Sequence, residues 1–594
     1  MNKTQDKFSL PAVTLSIFAA VAAERLPVYG SSRALLWQEV LAAVLLMILS
    51  ALASRFWQSG PPKSAAWAAA FCLQVWLAVE LAGTFWKALQ VCREEFSSLA
   101  LLGFLPLLLW AGWQMPARAW GAPAQVLWWF VAVGSAVCLL GLARQMHWAG
   151  LFAQAAPQST AFTVPVYAEY FAVPLLCGRE ERRGVCLPIL TALVQTAATL
   201  GMALVFGRTY PARELLRAWS TGTFSRLDAA LLLVWLTCAI FRIGVLCTAV
   251  RMLGAGVRHT KAKGSAAMKQ RWARILLYAV LVGWCLLFLR CETTEKSMIR
   301  VVYLEQKEQT WSVGLLYQSP EAAADAADAS AALRIADGRG QTLETALAAA
   351  EGTLPQTADY RLCDYVLFPE QTEDAVLAAY ENLVLERGCG RTAARLSCTE
   401  FDLEILLQSC GKTETLPDKL LDKLKAGSAA MPRLYAHEES MLLPVLCLPE
   451  AQEGKGMVSG SGAFRTGSGA VQRLTENETE AFLLLTGTPG KRTFWLQGKR
   501  VTIRRCTVSV ALRKQTATLR LDCQTAYGTP QPDAAQCQQL EELCLGVVRS
   551  CWQQGTDLLH LQEHSLLRTG SPDGFDPTKN ACPQLQADVV FLGA

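Results

Sequence analysis

The chain has 594 residues, more than one domain needs, and two to four units is the expectation at this length. Apolar residues make up 52%, high for a soluble protein, and are unevenly spread, and a net charge of +5 gives no reason to invoke nucleic acid. Most of the 18 Trp precede residue 291, several near the ends of apolar runs, where a membrane interface favours them.

The first ten residues, "MNKTQDKFSL", lack the short basic, apolar, small-residue layout of a cleaved signal, so the first apolar run is expected to stay as an anchor. Crossing hydrocarbon takes about 20 residues. Nine stretches qualify as candidates: roughly 9–28, 33–55, 65–88, 97–115, 124–144, 160–178, 184–207, 226–250 and 273–290. The first runs into Glu24 and Arg25, and the sixth is short and carries Pro165 and Pro174.

The loops test this count independently, because cytoplasmic loops are rich in Lys and Arg. Residues Arg251 to Arg274 carry seven basic residues and no acid, and "GREERRG", Gly178 to Gly184, is the other basic loop. If both are inside, an even number of helices separates them, and 184–207 with 226–250 supply two. The same assignment puts the amino terminus inside and sends residues 291–594 outside the cytoplasm.

Ionisable residues inside the spans need a reason, since an unpaired charge in lipid costs at least about 2.5 kcal/mol. Glu80, Glu169 and Arg242 sit well inside their segments, and Glu169 lies between Pro165 and Pro174, where backbone groups are freed and a helix can break. One reading is that the three pair within the bundle and fix its packing. The other is a polar midplane cavity for a small zwitterion, with carboxylates facing its amine and Arg242 its carboxylate.

From 291 onward the pattern is that of an exported α+β module. "KSMIRVVYLEQKEQTWSVGLLYQ" reads as two strands around a polar turn, "TLETALAAAEGTL" as a helix with a Thr cap, "ADYRLCDYVLF" as a strand and "QTEDAVLAAYENLVLE" as another capped helix. The glycine-rich stretch at 451–470 marks a boundary or tight hairpins. "KRTFWLQGKRVTIRRCTVSVALRKQTATLRLDCQ" reads as a meander, followed by a helix over about 533–555 and a last strand near "LQADVVFL". "EAAADAADASAAL" is low in complexity and reads as a surface helix or a loop. Twelve of the 20 cysteines lie from Cys291 onward; export permits disulfides, but the spacings are irregular and contain no paired CxxC.

Catalytic patterns are weak. "HLQEH", His560 to His564, has the spacing of inverted zinc peptidases, but such a motif counts only in its structural context, the segment alternates as readily as it coils, and His437 is the one other exported histidine. "GTPGKRT" lacks the Gly-to-Gly-Lys frame of a phosphate loop. The chain does not look like an enzyme, and nothing in it calls for a cofactor.

Two stretches carry a family resemblance. "FGRTYPARELLRAWSTGTFSRLDAALLLVWLTCAIFRIGVLCTAV", Phe206 to Val250, resembles the late part of the B-subunit (GerAB-like) permease family of bacterial spore germinant receptors. There a Pro-containing loop leads to an Arg-Leu-acid-Ala-Leu start and a tryptophan-bearing helix with a basic residue inside, here Arg226, Leu227, Asp228, Trp235 and Arg242. Nearly all of 291–594 resembles the Ger(x)C lipoprotein, the C subunit, through "DGRGQTLETALAAAEGTL", "VSGSGAFRTGSGAVQRLTENETEAFLLLTGT" and "CLGVVRSCWQQGTDLLHLQEHSLLR", with Asp557 retained.

The resemblance implies a fused B–C subunit with domains at 1–290, 291–450 and 451–594. It implies a broken-helix, transporter-like bundle with a ligand site between broken first and sixth helices, although the first helix has no glycine at its middle, where the family usually breaks. It further implies an amino-acid-like nutrient as ligand, a separate A subunit as partner, and residence among the lipids of the spore inner membrane. In the lipoprotein family the mature chain begins at a lipidated cysteine; Cys291 holds that place, but Arg290 is not the small residue the processing site needs. Cys291 is therefore expected to carry no lipid, with the ninth span as anchor. Mass spectrometry of the intact protein checks this, and a chain starting at a diacylglyceryl cysteine would overturn it.

Overall fold

The computed structural model describes residues 7–25, 33–59, 62–96, 108–143, 146, 166–178, 183–206, 210, 214–215, 227–257, 296–318, 333–413, 415–427, 431–436, 441–447, 458–465, 471–488, 490–513, 516–527, 530–569 and 575–591. The protein is multi-domain and divides into two units, Met1–Glu292 and Thr293–Ala594. The ninth span, Arg290, Cys291, His437, the low-complexity stretch and most of the basic 251–274 loop lie outside the described residues.

The first unit is all helical. Its helices are α1 (Leu10–Arg25), α2 (Arg33–Gln58), α3 (Lys63–Phe96), α4 (108–114), α5 (Gly121–Leu142), α6 (Glu169–Leu176), α7 (Leu187–Phe206) and α8 (Leu227–Val257). Among the described residues five stretches are long and apolar enough to cross a membrane: Val40–Gln58, Ser64–Val91, Ala117–Leu142, Gly184–Phe206 and Val234–Gly254. This marks a membrane protein. Leu41, Leu45, Val79, Trp129, Leu140 and Leu193 are exposed on four of these helices, as a lipid-facing surface requires.

Val234–Gly254 differs: 78% of it is buried, against 6–33% in the other four, so α8 is the central helix. It approaches α4 closely at glycine, where a Cβ on Gly112 would lie 3.3 Å from the Gly244 Cα. Thr248 Oγ1 donates to the Gly112 carbonyl at 2.7 Å and accepts from the Trp120 indole at 3.1 Å, tying α4, the turn before α5 and α8 together.

The first and sixth helices bear on the expected breaks. The resemblance implies a break in the first helix, but α1 is helical throughout Leu10–Arg25. Without a central glycine the backbone has no easy way out of its hydrogen-bond ladder. Ala12, Ser16 and Ala19 are buried along it, small enough to let neighbours approach. The sixth apolar stretch is described from residue 166 and is helical only over Glu169–Leu176. Pro174 lacks the N–H that would serve the Tyr170 carbonyl one turn back. Ser50 Oγ on α2 donates to that carbonyl at 2.9 Å instead.

The second unit holds two sheets. Strands β1 (Lys296–Lys307), β2 (Thr310–Gln318), β3 (Leu333–Gly340), β4 (Thr357–Asp359), β5 (Tyr365–Pro369), β6 (Arg395–Thr399), β7 (Met441–Cys447), β8 (Val458–Arg465) and β9 (Val471–Arg473) form a nine-stranded sheet. Its order is β3-β2-β1-β5-β6-β7-β8-β9, with β4 beside β1. The β5–β6 and β6–β7 pairs are parallel, so helices must cross over between them: α10 (Asp374–Arg387), then α11 (Leu403–Lys412) and α12 (Leu416–Gly427). α9 (Leu343–Gly352) follows β3. "YVLF" of β5 is buried at every position: Val366 and Phe368 meet α9 and α10 residues, Tyr365 and Leu367 meet α11 and α12. That is why the strand is continuously apolar rather than alternating.

β10 (Arg492–Leu496), β11 (Lys499–Arg513) and β12 (Thr516–Thr525) form the expected meander. β13 (Gln584–Phe591) joins β12 in parallel, reached by way of α14 (Ala534–Gln553) and α15 (Leu561–Thr569); α13 (Glu476–Leu485) packs in the same core. Helix starts follow side-chain chemistry. Thr342 caps α9, Thr475 caps α13 and Asp533 caps α14, each in a capping box. α10 has no side-chain cap at its start, Glu373, and its far end is closed by Gly388 at φ 70°.

One local expectation changes, and one open alternative is decided. "ADYRLCDYVLF" is split into β4, a 3-10 turn at Tyr360–Leu362 and β5, because Asp359 accepts from the Arg361 N–H and turns the chain. In the glycine-rich stretch, β8 pairs with β7 on one side and β9 on the other, so the sheet continues through it and the second sheet begins only at Arg492.

Candidate functional site

Glu80, Glu169 and Arg242 come together inside the helical unit. Arg242 on α8 is 1% exposed, as is Glu169 at the start of α6, and Glu80 on α3 is 12% exposed. Arg242 Nη2 donates to Glu80 Oε2 at 2.6 Å, and Nη1 donates to Glu169 Oε1. Nη1 also donates to the Ser16 carbonyl at 2.8 Å and Ser16 Oγ at 3.1 Å, while Nε donates to Thr84 Oγ1 at 3.1 Å. The Tyr167 ring lies 5.5 Å from the guanidinium carbon. Four helices thus meet on one planar fork, whose rigid donor geometry suits this better than an ammonium would.

Each carboxylate has a second duty. Glu80 Oε1 accepts the Ala168 N–H at 2.7 Å, one of the amides left over where α6 begins. Glu169 Oε1 accepts from Ser16 Oγ at 3.1 Å, whereas Glu169 Oε2 is buried and accepts no hydrogen bond among the described residues. Two carboxylates therefore face one guanidinium in an apolar bundle. This arrangement holds charge away from lipid.

Sequence reading did not single out Ser16, Thr84 or Tyr167. The one sequence hint was that Ser16 is a polar residue inside an apolar run. A stronger signal was available on α7: Thr191, Gln195 and Thr199 recur every fourth residue on an apolar helix and are all buried, and Thr191 Oγ1 shares a hydrogen bond with the Tyr170 hydroxyl.

His560 precedes α15 with φ 52°, and His564 lies in its first turn. Asp557 accepts the Gln562 N–H at 2.7 Å and so supports the helix start; burial pushes its carboxyl above the usual carboxylate range. Among the described residues no three His, Cys, Asp or Glu side chains gather as metal ligands would.

No family model matches the chain, and no curated protein matches it. A solved structure, the crystal structure of the GerBC protein, is similar at 12% identity with a TM-score of 0.29, covering 49% of this chain and 96% of that one.

Proposed function

We propose that the chain is a non-enzymatic germinant-receptor subunit of fused B–C type, sensing or relaying an amino-acid-like nutrient at the spore inner membrane. The motifs at 206–250 and 291–594 support the family, and the meeting of Glu80, Glu169 and Arg242 supports the sensing role. A zwitterion entering there replaces one set of charge pairs by another: its ammonium takes the carboxylates and its carboxylate takes Arg242. Ligand binding is thereby coupled to release of α8 from α3 and α6, and a ligand that favours the released arrangement shifts the population toward it. A receptor A subunit is the expected partner. Co-purification from spore membranes tests the assembly, and recovery of this chain without any A subunit would count against it. Ligand-dependent accumulation in proteoliposomes would instead make it an amino-acid transporter with an exported accessory domain.

One observation favours a second reading, an assembly subunit without ligand. All three guanidinium nitrogens of Arg242 are already engaged by the chain's own groups. The variants treated in the Discussion separate the two readings.

The reading also places residues 291–594 outside the cytoplasm, on the basic-residue asymmetry of the loops. In a cysteine-depleted background, Ser461→Cys is expected to react with an impermeant thiol reagent in intact cells and Lys261→Cys to be protected. Labelling at 261 with protection at 461 would invert the topology.

A further inference from the structure

Cys506 and Cys523 stand directly opposite each other on the antiparallel strands β11 and β12. Their sulfurs are 3.4 Å apart, with the Cys523 thiol donating to Cys506. A bulge creates this pairing. Val501 and Ile503 face the core at odd positions, and strict alternation would send Cys506 outward. The register shifts between Ile503 and Arg505, at the "RR" of "VTIRRCTVSVAL", and thereafter the even positions 506, 508, 510 and 512 turn inward. Cys523 is fully buried in the core beneath α14, while Cys506 is half-buried and reachable from solvent.

We propose that Cys506 and Cys523 are an oxidisable dithiol that closes to a disulfide across the β11–β12 hairpin. Opposed residues of an antiparallel pair have Cα atoms about 4.5–5.5 Å apart, inside the window of about 4.4–6.8 Å that a disulfide spans. From 3.4 Å, rotation of the two side chains brings the sulfurs toward the bonded distance of about 2.05 Å. The hydrogen bond from Cys523 holds the Cys506 thiol below its ordinary range and raises that of Cys523, so Cys506 is the attacking sulfur. Its thiolate attacks a low-molecular-weight disulfide such as oxidised glutathione, giving a mixed disulfide and releasing one thiol. Cys523 then gives up its proton and displaces the second thiol from Cys506. Two protons and two electrons pass from the pair to the oxidant.

The test uses purified protein and a defined oxidant, so it is separate from that of topology. Purified full-length protein in detergent is incubated with oxidised glutathione, its remaining thiols are alkylated, and peptides are mapped by mass spectrometry. The expected result is a linked peptide pair joining 506 to 523, two hydrogens lighter than the reduced pair and opened by reductant. It should vanish in Cys506→Ser and persist in Cys544→Ser, the neighbouring buried cysteine on α14. The wild-type map alone decides should a variant fold poorly. Alkylation of both sulfurs after oxidant, stable glutathione on Cys506 alone, or linkage of Cys523 to Cys544 would each overturn the proposal.

Discussion

Arg242→Gln is expected to reduce the amount of folded protein in the membrane steeply. It removes the cation that, among the described residues, pairs with Glu80 and Glu169, and leaves two carboxylates against each other in an apolar bundle. Breaking a buried ion pair from one side costs about 3–5 kcal/mol, because the remaining charge stays buried. Each 1.36 kcal/mol is a factor of ten in an equilibrium, so the ratio of folded to unfolded protein should fall at least a hundredfold. Immunoblots of membranes check this. A triple variant, Glu80→Gln, Glu169→Gln and Arg242→Gln, should recover much of the loss, since no charge is then left without a partner. Arg242→Lys separates the two readings of the site. Lysine keeps the charge but not the planar fork that reaches α1, α3 and α6 at once. If the site reads a nutrient, Lys weakens the germination response at normal abundance; if it only holds the bundle, Lys is nearly silent. Full response and normal abundance in both Gln and Lys variants would refute each reading.

Gly338→Val is expected to cost about 3 kcal/mol or more, beyond the usual range for inserting methyl groups into a packed core. A Cβ on Gly338 would lie 2.2 Å from the Ala350 backbone nitrogen and 2.4 Å from the Ala346 carbonyl oxygen. These are backbone atoms of α9, so no rotamer change relieves the clash and the helix itself must move. Ala346, Leu347 and Ala350 on its inner face are fully buried, and that movement opens the core over β3 and β2. Thermal unfolding and limited proteolysis of the full-length protein in detergent measure the effect. Gly411→Ala is the control: it has open space at the Cβ and lies in α11, so it should be neutral or stabilise by up to about 1 kcal/mol. Equal stability of the two variants would refute the packing argument.

Much of the fold was legible in the sequence, where structure depends on neighbours within one turn or one pleat. Among the described residues five apolar runs are helices long enough to cross a membrane, "LRIADGRGQTLETALAAAEG" carries its own cap at Thr342, and the alternation of β11 and β12 reads directly as a meander. That Glu80, Glu169 and Arg242 each needed a partner was equally legible, because hydrocarbon offers none. That they pair with one another was one of two readings; only the fold decides that Arg242 takes both carboxylates at once. Arg242 lies 162 residues from Glu80 and 73 from Glu169, and no local pattern specifies contacts at that separation. The same holds for the parallel pairing of β13 with β12 and for β8 continuing the first sheet, since strands on both sides of a candidate boundary look alike until their partners are known. Cys506 shows the limit most sharply. Its residue types and strand were evident, but strict alternation points it outward. Only the register shift at Arg505 turns it inward to face Cys523, because one extra residue in a period of two exchanges the faces of a strand.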